Sequence, residues 1–351
     1  MADTARRSFV ATVVAGGVVV LALALWKLKV LLALVFLAFI IAAAIRPAID
    51  ALARYRVPRT AGILLLYSVF AAAIALVLWL AVPRALHQVQ VALGPDAQQA
   101  LTEQARSSEG VKHDVLIAIR NRLDDLPRAG ELVRPAAEVG IKAFEALIGV
   151  FFVFASAAYW IFERDRAENL VCSLLPRPKR KLVRDTWNLI DLKLGAFVRG
   201  TSLLIVLVAS ALSLLFWLIG LPYWLLVACF AGIVEIVPVI GPLAAGALAV
   251  GVGLTDSVHT AFLAGVCVLG VRLLEDYIVI PKVLGEATGL SPLLVLFSVS
   301  AVGILFGGWA VLFAVPIAAV VVTLFDVIAR DVDPAEEEVP TVLFPAKESE
   351  A

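Results

Sequence analysis

The sequence predicts an all-α, polytopic helical membrane protein with six full spans, two broken or re-entrant hairpins (about eight hydrophobic segments) and a small helical extracytoplasmic segment. Three observations lead there. Apolar residues make up 62% of the 351 residues and charged residues only 17%, against about 45–50% and 25% in soluble domains. Apolar runs of span length recur along the whole chain. Residues 287–325 carry no charge, yet Gly303, Gly307, Gly308 and Pro316 interrupt them. As one helix this run would measure about 55 Å at ~1.5 Å per residue, far beyond a hydrocarbon core of roughly 30 Å, so it must fold back on itself. Broken backbone at membrane depth survives only where protein or a water-filled cavity covers it, which points to a pathway rather than an anchor.

The first span covers residues 9–26. Arg6-Arg7-Ser8-Phe9 is similar to part of a twin-arginine signal, but the apolar run exceeds a signal core and leads into another apolar segment rather than a cleavage site. Further spans follow at 30–45, 60–82, 141–162, 201–219 and 260–280, with Lys27 and Lys29 in a tight first turn. Between them lie two interrupted apolar stretches: 222–254, broken at Pro238-Val-Ile-Gly241-Pro242, and 293–325, broken at Gly307-Gly308. Each contributes an even number of passes. The chain thus divides into N-terminal transmembrane helices (1–82), an extracytoplasmic helical segment (83–140), a transmembrane helix (141–162), a cytoplasmic amphipathic loop (163–199), a transport core holding both broken hairpins (200–330) and a disordered cytoplasmic tail (331–351).

The soluble parts are read from their polarity. In 83–140, Val115, Leu116, Ile119 and Leu123 recur at helical spacing, which suits a structural cap or an oligomer contact better than a ligand site. In 163–199, Leu182, Trp187, Leu189, Ile190 and Leu194 stand among basic residues, the pattern of a helix lying at the membrane interface. The tail carries Glu336-Glu337-Glu338 and Pro340, a composition that favours disorder.

Lys and Arg concentrate on the cytoplasmic side of short loops. Residues 163–199 hold nine basic residues against five acidic ones, and Arg46, Arg54, Arg56 and Arg59 lie between the second and third spans. Both loops are expected in the cytoplasm, with both termini beside them. On this topology the first broken stretch opens to the outside and the second to the inside. Two such hairpins would point at each other, as in an inverted structural repeat whose binding site lies near the bilayer midplane.

Enzyme chemistry has no foothold. The chain has no GxxxxGK[ST] loop, no HExxH pair and no GxSxG elbow. His87, His113 and His259 are dispersed, and Cys172, Cys229 and Cys267 form no CxxC pair, so no metal or cofactor is expected. Zero net charge argues against a nucleic-acid partner. The candidate transport or ion-coupling residues are instead the charges in apolar stretches. Glu235 lies three residues before Pro238, and a carboxylate at a membrane helix centre costs about 2.5 kcal/mol or more. Arg272 is its expected partner. Glu275 and Asp276 follow Arg272 at i+3 and i+4, so one side of the sixth span carries all three. The cluster fits either a self-satisfied ion group or a transport site. Lys282 fits a snorkelling anchor.

These residues carry a resemblance. Pro238-Val-Ile-Gly241-Pro242 resembles the P-x-x-G-P element of the autoinducer-2 exporter family. Glu275-Asp276-Tyr-Ile-Val-Ile-Pro281-Lys282-Val-Leu-Gly285, followed by Gly289-Leu-Ser-Pro292-Leu, is similar to that family's most recognisable stretch. Gly303-x-x-x-Gly307 and Ala314-Val-Pro316 continue it, and Arg46-Pro47-Ala-Ile-Asp50 with Val57-Pro58-Arg59 resembles its N-terminal pattern. The chain departs from the pattern near Asp276, where an amide or small residue is frequent, and at Ser291, where histidine is common. The resemblance implies a multi-pass transporter of the bacterial inner membrane, forming a homo-oligomer, with some members linked to export of signal molecules and others to exchange of sodium or lithium for protons. The expected partners are therefore the lipid bilayer and a small polar solute or cation. A membrane scaffold without transport activity is the alternative from another class.

Overall fold

The computed structural model describes residues 2–93, 133–280, 290–337 and 339. Every regular element among them is helical, as a bilayer demands of backbone groups that find no water to bond. α1 (Ala2–Lys27), α2 (Lys29–Arg54), α3 (Arg59–Leu93), α4 (Val133–Ser173) and α5 (Arg177–Leu218) form the first half. α6 (Trp224–Val234), α7 (Ile240–Asp256) and α8 (Val258–Leu274) follow, α8 running on into a π-helical turn, Glu275–Val279. α9 (Pro292–Phe306), a 3₁₀ turn (Gly308–Phe313) and α10 (Ala314–Ala329) complete the fold. Helix covers each of the six apolar spans. By length and composition, α2, Phe144–Ser173 of α4, α5 and Gly308–Ala329 are long and apolar enough to cross a membrane.

The expected tight turn between the first two spans is absent. Only Leu28 separates α1 from α2; its N–H donates to the Ala24 carbonyl and its own carbonyl accepts from the Leu32 N–H, so each helix keeps its i, i+4 bonding up to Leu28, where ψ of 5° interrupts the helix without folding the chain back. No glycine or proline stands there to reverse the chain. α1 consequently packs little, and its apolar residues from Val13 to Trp26 are largely exposed.

Two loops also prove to be extensions of spans. α3 continues through Pro83 to Leu93, and α4 begins at Val133, so both helices run into the segment assigned outside the bilayer. Val115, Leu116, Ile119 and Leu123 lie outside the described residues. The basic loop 163–199 is not a separate interfacial helix. It is the end of α4 and the beginning of α5, folded against each other around residues 174–176. Of its apolar residues, Leu189 and Leu194 are buried and Trp187 stacks on Trp160 with ring centroids 6.2 Å apart, while Leu182 stays exposed. Packing within the protein accounts for most of that stripe: Trp187 meets α4, Leu189 meets Val339, and Leu194 meets Ile40 of α2 and Phe313.

The larger core joins Val208, Leu212 and Phe216 of α5, Val227, Ala228 and Ala231 of α6, Ala245 and Ala249 of α7, and Ala264 and Val271 of α8. A seam of small residues tightens it. Gly241, Ala245, Ala249 and Gly253, each four residues from the next, are all buried on α7. This spacing lets backbones approach closely: a Cβ on Gly253 would lie 2.5 Å from Cα of Ala261 in α8. A second cluster pairs Ala38 and Ala42 of α2 with Val153 and Ala157 of α4. Ile40, Leu194 and Phe313 tie α2, α5 and the 3₁₀ turn together.

The tail assigned to disorder is described only in part. Over residues 331–337 and at 339 it folds back on α5, with Val339 packed beside Leu189 and Ala196 and Glu337 paired to Lys193. A buried lysine and a small apolar cluster hold a segment that its composition alone marks as solvated.

Candidate functional site

Both broken stretches interrupt helix where their glycines and prolines stand. α9 ends at Gly307, whose φ of +93° suits only glycine, and the 3₁₀ turn then leads into α10. Val299 and Val302 of α9 pack against Ala310 and Ala314, so the stretch does double back. Gly303 and Gly307 do not form the single close-approach face that their spacing suggests. Gly303 faces Val311, 3.2 Å from where its Cβ would sit, whereas Gly307 is required for its backbone angle and Gly308 has open space around it. Pro292 opens α9 in its first turn, where a missing N–H costs nothing, and Pro316 does the same in α10. Pro281, Lys282, Gly285 and Gly289 lie outside the described residues.

The first break is more strained. Pro238 bars helix from the residues before it, and α6 ends at Val234 with Glu235 as its C-cap. Val239 has φ +68° and ψ −52°, and the Ile240 N–H donates to the Pro238 carbonyl at 2.8 Å. This is a three-residue turn of the rare hand, and a β-branched residue in it stores about 1–3 kcal/mol. The Gly241 N–H donates to the Val237 carbonyl at 2.9 Å. A side chain on Gly241 would press into the Val234 carbonyl, so glycine is obligatory for α7 to start this close to the end of α6. Pro242 then sits in the first turn of α7.

This turn carries Glu235 to α8. Arg272 Nη1 lies 3.1 Å from Glu235 Oε1 and 3.3 Å from Glu275 Oε2, and Nη2 lies 2.8 Å from Asp276 Oδ1. All four sequence candidates thus meet at one guanidinium. The carboxylates differ in setting: the Glu275 side chain is 2% exposed, that of Glu235 8% and that of Asp276 40%. Glu275 Oε1 has no hydrogen-bond partner among the described residues. Glu275 also opens the π-helical turn, a local rewinding that breaks strict α spacing beside the cluster. Three acids against one arginine leave two formal negative charges in an apolar setting. Uptake of a proton or a cation is the chemistry that offsets such an excess.

Sequence reasoning missed a second polar group. Arg164 of α4 is 5% exposed and donates to Asp191 at 2.8 Å, to Glu168 at 2.6 Å and to Asn188. Arg184 joins Glu168 at 2.6 Å, and Arg46 of α2 lies 3.7 Å from Asp165 and 3.8 Å from Asp191. The i, i+4 spacing of Arg164 and Glu168 was a signal for half of it. Nothing in the sequence announces that α2, α4 and α5 converge there.

The family described as AI-2E family transporter matches residues 16–330. The chain belongs to that family. Among AI-2E relatives, "Putative transport protein YrrI" of Bacillus subtilis (strain 168) is 24% identical over 75% of this chain and 76% of its own length. "Putative transport protein YueF" of the same strain is 29% identical over 49% of this chain and 47% of its own. "Putative permease PerM" of Escherichia coli (strain K12) is 32% identical over 50% of each chain. The matches to the last two therefore cover about half of either partner. Membership makes this AI-2E chain a membrane transporter, in a family of transporters and permeases rather than enzymes.

Proposed function

We propose that the chain is a secondary transporter that exports a small polar solute, of the size and polarity of a quorum-sensing signal, with Glu235, Glu275 and Asp276 as its coupling groups. The observation that carries this reading is the convergence of three carboxylates on Arg272 beside the strained break of the first hairpin. Discontinuous helices with ionisable groups at the break are how secondary transporters build solute and ion sites. The sequence offers no phosphate-binding loop, so the drive is a gradient rather than ATP.

A second reading, exchange of sodium or lithium for protons, is favoured by the same excess of two negative charges. On it the acids themselves hold the transported ion. Reconstitution into liposomes separates the two. Export coupling gives efflux of a loaded polar solute that depends on a proton or sodium gradient; antiport gives proton movement on adding sodium or lithium with no solute present. Neither flux, alongside a stable complex with another membrane protein, would leave the scaffold reading standing.

The basic loops 46–59 and 163–199 are proposed to face the cytoplasm of a bacterial inner membrane. Ion pairs from Arg46 and Arg59 to Asp165 support placing both loops at one end of the molecule. The C-terminal segment, paired with Lys193, belongs to that end too. The expectation that the N-terminus shares that side needs a reversal at Leu28, where α1 and α2 are separated by a one-residue break and pack little on each other, so the orientation is proposed for these loops and the C-terminus.

A further inference from the structure

Lys193 is a buried ionisable group that the transport reading leaves unused. It sits on α5, 3% exposed, and its Nζ lies 3.2 Å from Thr323 Oγ1 on α10 and 2.6 Å from Glu337 Oε1 in the C-terminal segment. Thr323 is itself 1% exposed. The only carboxylate that offsets this buried cation among the described residues comes from a segment beyond the last helix. The chain is bent to deliver it. Asp331 adopts φ +53°, the Val332 N–H donates to the Asp326 carbonyl at 3.2 Å, Asp333 Oδ1 accepts from the Ala335 N–H at 2.9 Å, and Pro334 is buried. Val339 then fills the space between Leu189 and Ala196.

We propose that residues 331–337 with Val339 are a releasable strap that pins α10 to α5 through Glu337 on Lys193, and so fixes the far arm of the last hairpin. The contact has two states of unequal character. With the strap seated, Lys193 is paired and dry and ties together α5, α10 and the segment after it. With the strap away, Lys193 keeps only a hydroxyl, and a lysine so poorly compensated at a buried position draws in water. Wetting that site loosens the α5–α10 contact at Thr323, the step a hairpin needs before its second arm can shift.

The test uses the full chain in detergent or nanodiscs, in a background lacking the three native cysteines. Ala196→Cys reports the strap by its rate of maleimide labelling, and backbone hydrogen exchange reports the last turns of α10. Glu337→Gln should speed labelling on the order of tenfold or more and raise exchange around Thr323 as well as in residues 331–337. Glu336→Gln, which alters the exposed neighbouring acid, should leave both at the wild-type rate. Should Glu337→Gln fold poorly, the double change Lys193→Met with Glu337→Gln removes the unpaired charge and should still free the strap. Labelling at the wild-type rate in both Glu337 variants overturns the proposal. So does a freed strap with unchanged exchange in α10, because the segment would then be a passive cap.

Discussion

Arg272 shows how one side chain can be over-determined while its partners are not. It contacts three carboxylates, so no single acid is indispensable to it, whereas each acid depends on it alone among the described cations. Arg272→Met should therefore lower stability on the order of 3 kcal/mol, since it strands two buried carboxylates. Asp276→Asn should cost less than ~1 kcal/mol because its side chain is substantially exposed and Arg272 keeps Glu235 and Glu275. Thermal unfolding of the two variants in one detergent checks the order, and a larger loss in Asp276→Asn would refute it. Function should divide differently: Glu235→Gln keeps shape and hydrogen bonding but cannot titrate, so it should abolish coupled flux in liposomes with little change in melting temperature. Val239 gives the residue scale a second test. Its positive φ is a cost that glycine does not bear, so Val239→Gly should raise the melting temperature, equivalent to about 1 kcal/mol, while loosening the turn that presents Glu235. A lowered melting temperature would mean that the Val239 side chain contributes more packing than the turn costs.

Between elements, the α4–α5 hairpin is joined by buried charge rather than by an apolar seam. Arg164 is almost wholly buried among Asp191, Glu168 and Asn188, while Arg166, two residues on, pairs with Glu163 in the open. Arg164→Met should cost roughly 3–5 kcal/mol and Arg166→Met under ~1 kcal/mol. Chemical denaturation of the two variants measures the difference, and equal losses would show that the network is screened by water. What was legible here in the sequence was local. Broken apolar runs located both hairpins, and i, i+3 and i+4 spacing placed Glu275 and Asp276 on Arg272, because helical period fixes neighbours along one element. Glu235 joined them by a simple charge argument: an acid in an apolar stretch needs a cation, and few are available. The α4–α5 pairing stayed hidden because a basic amphipathic stripe looks the same whether its apolar face meets lipid or another helix. The strained Val239 was equally invisible, since nothing about Pro-Val-Ile-Gly requires a positive φ at a β-branched residue. The seam of Gly241, Ala245, Ala249 and Gly253 could have been read from its four-residue spacing alone.

At the scale of the molecule, the arrangement sorts polar segments to two ends. α3 runs past its span to Leu93 and α4 begins before its span at Val133, so the chain leaves α3 at the end away from Arg59. The turn after α2 and the one between α4 and α5 lie at the other end, where Arg46 and Arg59 reach Asp165. The proposed direction follows from charge, since nine basic residues in 163–199 oppose translocation of that end. Single cysteines at Ser108 and Lys179, in a background without Cys172, Cys229 and Cys267, should therefore react with an impermeant maleimide from opposite faces: Ser108 in intact cells, Lys179 only after the membrane is opened. The helical geometry alone requires opposite faces and the charge argument alone requires which is which, so the two can fail separately. Labelling of both from one face would contradict the extended α3 and α4. Reversed labelling would keep the fold and overturn the orientation, and with it the proposed direction of transport.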